Sequence, residues 1–306
     1  MSSFKIHGLC AATHTPFDAE GELNLAVVEK QALHLAKHGI KSVFIGGTTG
    51  ESHSTSLAER KALTERWVQV TKANNLDLPV IVHVGSNCLT DAAELAAHAQ
   101  KVGAASTSML SPSYFKPANV DMLIECCAKV AKAAPELPFY YYDIPVLTGV
   151  NMNMEEFLTK APAKIPNLRG IKFTNPDYLQ FQLCHRFEGG KFDIPYGNDE
   201  YMLGAVAMGA KGAVGSTFNF CPGIYQRLMA AAAKGDNQTA ADELYRSCQV
   251  VKIVAKRGYM GCAKALMGHL GVPVGPARLP QRTPTAEEVK AMIGELEAIG
   301  FFQWQY

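Results

Sequence analysis

One lysine lies inside an apolar run, where a charge is costly. Lys172 is part of "LRGIKFT" (168–174), just before Thr174 and Pro176, where the run ends. Burying an ammonium is unfavourable unless the group is paired or loses its charge. A desolvated lysine has a lowered pKa, and its neutral amine can attack a carbonyl carbon. Lys172 is therefore a candidate Schiff-base nucleophile, and the alternatives are pairing with a carboxylate or extension of the charged end into water.

Schiff-base chemistry also needs groups that move protons, and three hydroxyl side chains are candidates. Tyr142 lies in "PFYYYDIP" (138–145), Thr48 in "GGTTGES" and Tyr114 in "SPSYFKP". A positioned hydroxyl can donate and accept protons. Successive side chains of a strand point to opposite faces, so only some of the three consecutive tyrosines can face one side. Tyr142 is therefore a candidate acid/base group, with Thr48 and Tyr114 as candidate relays, and the alternative for a tyrosine of this run is core packing.

These residues lie at the ends of predicted strands. Short apolar runs alternate with amphipathic helical segments, which favours a parallel α/β sheet with right-handed crossovers. The runs are 8–17, 42–50, 79–86, 106–112, 138–145, 168–174, 192–199 and 212–217. Eight such runs favour a (β/α)8 TIM barrel. The alternative is a doubly wound open sheet, but no G-x-G-x-x-G opens a helix after the first strand. We predict a barrel over residues 1–222 and a C-terminal helical region over 223–306, packed on it.

The active site of such a barrel lies at the carboxyl ends of its strands. Besides Lys172 and the hydroxyl groups above, those ends carry Glu51, Asp143, Thr174, Asp199, Glu200, Ser216 and Thr217. No H-E-x-x-H or clustered ligand spacing occurs, so we predict no metal site. His83 lies within a predicted strand and is expected to be a core histidine with its hydrogen bonds satisfied. His53 is a candidate for the edge of the pocket.

Composition narrows the class of protein. Of 306 residues, Lys and Arg total 29 and Asp and Glu 28, without the basic clusters of nucleic-acid or membrane-surface proteins. No apolar stretch is long enough to span a bilayer, and no secretory signal is recognisable at the start. The eight cysteines are scattered, without a C-x-x-C motif. We therefore expect a cytoplasmic protein with reduced thiols, a small-molecule substrate and no nucleic-acid or membrane partner.

Five motifs carry a family resemblance: "GGTTGE", "YYDIP", "GIKFT", "YGNDE" and "GSTFN". In this order, and with "GVPVGPARLP" in the tail, the chain resembles the class I aldolase superfamily of dihydrodipicolinate synthase and N-acetylneuraminate lyase. The likeness extends from about residue 8 to residue 220. It implies a (β/α)8 barrel with a C-terminal helical region, usually a homotetramer, that needs no metal or organic cofactor.

The resemblance also implies residue roles. Lys172 would form the Schiff base with a 2-oxo acid, and Tyr142 would be the acid/base residue beside it. Thr48 and Thr49 would hold the pyruvate carboxylate, largely through backbone N–H groups. Thr48 would also link Tyr142 to Tyr114, and the family's tyrosine at that place reaches in from a neighbouring subunit.

Two motifs distinguish the branches of the superfamily. Leu147 fills the position where the synthase branch has a carboxylate-binding arginine, and an apolar side chain cannot supply that donor fork. The motifs "IP-x-L-[ST]-G" and "G-x-D-E" instead resemble the sialic acid lyase branch. In that branch the two acids of the second motif, here Asp199 and Glu200, would bind sugar hydroxyls. Taken without the other motifs, these two acids could equally belong to a solvated loop or to a helix N-terminus. Ser113 departs from the bulkier residue often found in that branch. The predicted substrate-binding residues are Thr48, Thr49, Thr174, Gly197, Asp199, Glu200 and Ser216.

The resemblance therefore implies a lyase that reversibly cleaves N-acetylneuraminate to N-acetylmannosamine and pyruvate. Two alternatives remain open at this point. A related aldolase or dehydratase acting on another 2-oxo sugar acid, such as 2-keto-3-deoxygluconate, would share Lys172 and Tyr142. A non-catalytic protein that binds a 2-oxo acid or sialic acid would share the barrel without turnover.

Overall fold

The computed structural model describes residues 4–306, and a parallel sheet forms its centre. Its strands are β1 (Gly8–Ala12), β2 (Ser42–Ile45), β3 (Val80–His83), β4 (Ser106–Leu110), β5 (Phe139–Asp143), β6 (Leu168–Phe173) and β7 (Gly212–Gly215). They pair in the order β6-β5-β4-β3-β2-β1-β7, always parallel. Six strands thus follow chain order, and β7 returns to pair with β1.

The segment 192–199, predicted as a full strand, forms only isolated bridges. Asp193 pairs with Gly170 of β6, and Tyr196 pairs with β6 on one side and β7 on the other. The segment therefore joins the two edges of the sheet. Pro195 lies between the paired residues and has no N–H to donate to a ladder. The predicted parallel sheet is confirmed as a curled sheet consistent with a (β/α)8 barrel, with an interrupted strand at this place.

Helices follow the strands and continue to the end of the chain. They are α1 (Val27–Lys37), α2 (Leu57–Ala73), α3 (Leu89–Val102), α4 (Val120–Ala131), α5 (Pro145–Thr148), α6 (Met154–Lys160), α7 (Tyr178–Arg186), α8 (Met202–Ala207), α9 (Pro222–Ala233), α10 (Asn237–Ala255), α11 (Tyr259–His269), α12 (Ala286–Ala298) and α13 (Phe301–Trp304). After β7, only helices and loops are present, and α10 packs on α9, α11 and α12. Within residues 4–306, no helix has the length and apolar character needed to cross a bilayer.

Apolar side chains form one core outside the sheet and a second within its curve. In β5, Tyr140 and Tyr142 belong to the inner cluster, together with Phe44, whereas Tyr141 packs in the outer core. This division follows from the period of two along a strand. Tyr142 is in register with Lys172 of β6, so the two side chains are neighbours on the inner face.

Candidate active site

Lys172 is buried over an aromatic ring. The residue is only 3% exposed, so its amino group does not extend into water. Nζ lies 3.6 Å from the ring centroid of Tyr142 and donates a hydrogen bond of 2.9 Å to Thr174 Oγ1. In residues 4–306, Lys172 has no carboxylate ion-pair partner. The geometry therefore provides a sheltered amine next to a phenol.

The phenol of Tyr142 connects this amine to the turn after β2. Thr48 Oγ1 lies 3.3 Å from the Tyr142 hydroxyl, and either oxygen can be the donor. The turn is tight, because Gly46 has a φ of 60° and a Cβ on Gly50 would lie 2.9 Å from the Gly46 nitrogen. Glycine permits both features. Thr48 and the buried Thr49 are thus held at the carboxyl end of β2.

Tyr114 lies apart from these groups in the single chain. It is 78% exposed, and its ring packs edge-on against Phe115 at a centroid distance of 5.0 Å. Its backbone N–H is held by Asn87 Oδ1 at 3.1 Å. The single chain therefore brings Lys172 and Tyr142 together, but not Tyr114.

Gly197 brings the loop after the interrupted strand against Thr174. A Cβ at position 197 would lie 1.8 Å from Thr174 Oγ1, which is the oxygen that accepts the bond from Lys172. The Gly197 N–H donates to the Phe173 carbonyl at 2.7 Å. No larger residue fits here without displacing Thr174, so glycine is required by packing, and the predicted substrate-binding role of Gly197 stays a prediction.

Asp199 is buried and hydrogen-bonded within the protein. One carboxylate oxygen, Oδ2, accepts bonds from the Thr217 N–H at 2.9 Å and the Thr217 hydroxyl at 2.7 Å. Burial raises the pKa of Asp199 to about 7, although the two Thr217 bonds oppose the rise. The chain of hydroxyls continues through Tyr225 to Ser247 of α10. Asp199 is thus a buried, partly engaged acceptor and not a solvated loop acid, but Asp199 and Glu200 do lie in the first turn of a short 3-10 helix, as the helix N-terminus alternative described.

The other two predicted polar groups at this end of the sheet are less enclosed. Ser216 is half-buried and its Oγ lies 2.6 Å from the hydroxyl of Tyr259, at the start of α11. Glu200 is half-buried next to Asp199. Sequence reasoning missed Tyr225 and Tyr259, because both lie in the helical part of the chain, where no strand-end motif identifies them.

A buried ion pair also went unpredicted. Lys264 of α11 donates to Glu51 Oε1 at 2.8 Å and to the Thr15 carbonyl at 2.9 Å. Glu51 Oε2 accepts the Arg278 N–H at 2.7 Å. Glu51 directly follows the glycine-rich turn and has a left-handed φ of 52°. The Lys264–Glu51 ion pair therefore connects the turn that carries Thr48 to the C-terminal helices.

A cleft of about 210 Å³ opens beside this turn. Its lining includes Thr48, His53, Ser113 and Leu147. His53, a candidate for the edge of the active-site pocket, lines this cleft, whereas Lys172 and Tyr142 are not among its lining residues. Leu147 contributes an apolar wall where the synthase motif would have an arginine. Ser113 leaves this part of the wall small and polar.

Comparison with known proteins agrees with this architecture. The model of the "Dihydrodipicolinate synthetase family" matches residues 5–299. N-acetylneuraminate lyase of Rattus norvegicus is 39% identical over 98% of this chain and 94% of its own, and that of Gallus gallus is 40% identical over 96% of both. The solved Proteus mirabilis N-acetylneuraminate lyase has a TM-score of 0.93 and 39% identity, covering 97% of this chain and all of that one. The chain therefore belongs to the dihydrodipicolinate synthetase family.

Proposed function

We propose that the protein is a Schiff-base-forming aldolase that reversibly cleaves N-acetylneuraminate to N-acetylmannosamine and pyruvate. The observation that carries the proposal is the sheltered Lys172 amine, 3.6 Å from the ring of Tyr142 and without a carboxylate partner in residues 4–306. A lysine held in this way serves as a nucleophile toward a ketone. The relatives reported above, which are named for this activity, support the choice of substrate.

In this proposal Lys172 attacks the C2 ketone of the open-chain sugar acid. Tyr142 gives its phenolic proton to the departing hydroxyl of the carbinolamine, which leaves as water, and the protonated iminium that results serves as the electron sink. Tyr142 removes the proton of the C4 hydroxyl, the C3–C4 bond breaks, and its electron pair moves into the iminium to form an enamine. N-acetylmannosamine leaves as the aldehyde. Protonation of the enamine carbon and hydrolysis of the iminium release pyruvate and the free amine of Lys172.

The substrate carboxylate would lie against the turn after β2. Thr48 and Thr49 offer backbone N–H groups there, and successive N–H groups in a tight turn form anion-binding concavities. The Thr48 hydroxyl, 3.3 Å from the Tyr142 phenol, would pass protons to and from it. The carboxylate of the substrate would therefore be fixed close to the acid/base residue.

The polyhydroxyl tail of the sugar would extend toward the β7 end. Asp199, Glu200 and Ser216 would serve there as hydrogen-bonding groups, and the close packing of Gly197 on Thr174 would hold the loop that carries these acids beside Lys172. Carboxylates accept several O–H donors at once. The apolar Leu147 side chain offers no donor to a second carboxylate, which favours a neutral aldehyde product.

We also propose a domain boundary, an oligomeric state and a cellular location for the protein. Residues 1–222 form the barrel and residues 223–306 a helical region packed on it, and the active protein is a cytoplasmic homotetramer. In that assembly the exposed Tyr114 ring would reach the Thr48 hydroxyl of a neighbouring subunit. Exposed aromatic rings such as Tyr114 and Phe115 are typical of contact surfaces.

Reductive trapping tests the mechanism. The protein is incubated with pyruvate and borohydride, and peptides are examined by mass spectrometry. We expect one reduced pyruvyl group on Lys172 and none in Lys172→Ala; Lys264→Arg, at the other buried lysine, is the matched control and should still be labelled. An adduct on another lysine, or none, would overturn the proposal.

Product profiling then identifies the substrate. N-acetylneuraminate and 2-keto-3-deoxygluconate are supplied in parallel, and pyruvate release is coupled to a reporter. Preference for the first supports the lyase assignment. Preference for the second would replace it with an aldolase for another 2-oxo sugar acid, and binding without turnover of either would indicate a non-catalytic protein.

A further inference from the structure

His83 lies in the same layer of the barrel interior as the proposed catalytic pair. It is the last residue of β3 and is 1% exposed. Its ring centroid lies 5.9 Å from that of Tyr142, edge-on at 89°, and 5.9 Å from that of Phe44. The Phe44 ring in turn lies 5.3 Å from Lys172 Nζ. These four side chains therefore form one contiguous group.

The protonation of His83 follows from its contacts. Nδ1 lies 2.9 Å from the Gly46 carbonyl oxygen, and a carbonyl only accepts, so Nδ1 is the donor. Burial, together with the charge of Arg60, holds the pKa of His83 well below its usual value. The ring is thus neutral, with its single proton on Nδ1.

This hydrogen bond fixes the first peptide of the turn that carries Thr48. Gly46 is in the left-handed region, and the following turn is closed by the Glu51 N–H, which donates to the Thr48 carbonyl at 3.0 Å. A peptide unit is planar, so holding the Gly46 carbonyl also sets the direction of the next N–H. His83 therefore fixes the peptide between Gly46 and Gly47, which leads into the Thr48 and Thr49 N–H groups proposed to bind a carboxylate.

The surroundings hold the His83 ring and backbone in place. Arg60 donates to the His83 carbonyl at 2.8 Å and to the Gly85 carbonyl at 2.9 Å. A Cβ on Gly85 would lie 2.7 Å from His83 Nε2, so glycine makes room for the ring. These contacts leave the imidazole little freedom to turn away from Gly46.

Core packing alone does not explain a histidine here. Nε2 is buried and has no hydrogen-bond partner in residues 4–306, so the expectation of a fully satisfied core histidine is only half met. Leaving a buried acceptor unpaired is unfavourable. A phenylalanine or leucine would fill the space without that cost, but it would leave the Gly46 carbonyl without its donor.

We propose that His83 is a positioning residue for the reaction. Its Nδ1–H holds the Gly46 carbonyl and so shapes the turn proposed to bind the substrate carboxylate, and its ring packs perpendicular to the Tyr142 ring and holds that ring in place. The inference rests on the proposed function, because it assumes that a 2-oxo acid binds against this turn.

Two substitutions separate the two roles. The His83→Asn side chain places an amide N–H near the position of Nδ1, so it retains the bond to Gly46 and loses the ring contact with Tyr142. His83→Phe retains the ring and loses the donor. We expect His83→Phe to need about tenfold more pyruvate for half-maximal borohydride labelling of Lys172, and to raise KM for cleavage similarly. For His83→Asn, the pyruvate concentration for half-maximal labelling and KM for cleavage should both stay within about threefold of those of the unaltered protein. Its kcat should fall about tenfold, because the ring contact with Tyr142 is lost.

A third variant guards against a folding defect. His83→Gln carries its amide at the position of Nε2, so it should resemble His83→Phe in the pyruvate requirement while keeping a polar side chain. Thermal unfolding identifies any variant that is not folded. A pyruvate requirement unchanged in both His83→Phe and His83→Gln, with normal labelling of the unaltered protein, would overturn the inference alone. Absence of Lys172 labelling in the unaltered protein would overturn the proposed function and the inference with it.

Discussion

At the scale of single residues, the carboxylate of Asp199 combines a structural and a proposed binding role. Its pKa of about 7 means that it is mostly neutral at pH 6 and mostly charged at pH 8. Asparagine keeps an acceptor for both Thr217 donors but never carries charge. We therefore expect Asp199→Asn to raise KM for the sugar acid about tenfold at pH 8 and much less at pH 6.

The measurement is the pH dependence of cleavage kinetics for both proteins. Lys172 labelling by pyruvate serves as the control, because the proposed pyruvate site does not include Asp199 and labelling should be unchanged. An equal KM ratio at both pH values would contradict a role for the charge of Asp199.

The buried carboxyl group of Asp143 leads to a prediction about the pH dependence of stability. It follows Tyr142 along β5 and points to the other side of the sheet, where Asn175 Nδ2 donates to it at 3.2 Å. Burial raises its pKa to about 7 from an ordinary value near 4. Between these values the folded protein holds a proton that the unfolded chain releases. The free energy of unfolding should therefore fall as the pH rises through that window, by at most about 4 kcal/mol.

Asparagine at position 143 keeps the acceptor for Asn175 and cannot ionise. We expect Asp143→Asn to lose less stability than the unaltered protein between pH 5 and pH 8, as measured by urea unfolding at each pH. The exposed Asp77→Asn is the matched control and should follow the unaltered protein. Parallel curves for all three proteins would show that the Asp143 carboxyl titrates at its ordinary value.

At the scale of elements, the contact between α11 and the turn after β2 depends on Lys264 and Glu51. The side chains are 0% and 1% exposed, and removing one partner of a buried pair leaves an uncompensated charge. Lys264→Met should therefore lower the free energy of unfolding by about 3–5 kcal/mol and raise the pyruvate requirement for labelling of Lys172.

The double variant Lys264→Met with Glu51→Gln provides the comparison. It removes both charges and keeps an acceptor for the Arg278 N–H, so part of the lost stability should return. Urea unfolding of the two single variants and the double variant forms the cycle. Strict additivity would show that the two groups do not stabilise each other.

At the scale of the whole molecule, the exposed Tyr114 predicts shared active sites. Tyr114→Phe and Lys172→Ala should each be nearly inactive. If Tyr114 serves the neighbouring subunit, co-expression of the two variants should restore about a quarter of the activity, because half of the paired subunits are mixed and each mixed pair has one intact site. Mixed oligomers without restored activity would place the action of Tyr114 within its own subunit, or nowhere in the reaction.

The sequence alone determined the parallel sheet and the meeting of Lys172 with Tyr142. Both depend on local rules: strand–helix alternation sets strand order, and a period of two sets which side chains face inward. Because β5 and β6 are neighbours in register, two strand-end residues become adjacent without further information. The same rules placed Thr48 at the same edge of the sheet.

Only the tertiary structure decided how that edge is supported. Lys264 and Glu51 are 213 residues apart, and Tyr225 and Tyr259 reach the site from helices whose docking has no periodic signal in the sequence. In the sequence, His83 has the pattern of an ordinary core residue in a strand. Its hydrogen bond to the Gly46 carbonyl depends on the pairing of β2 with β3, which only the structure shows. Side-chain hydrogen bonds depend on distances of a few tenths of an ångström between distant parts of the chain, and residue type and spacing do not specify those distances.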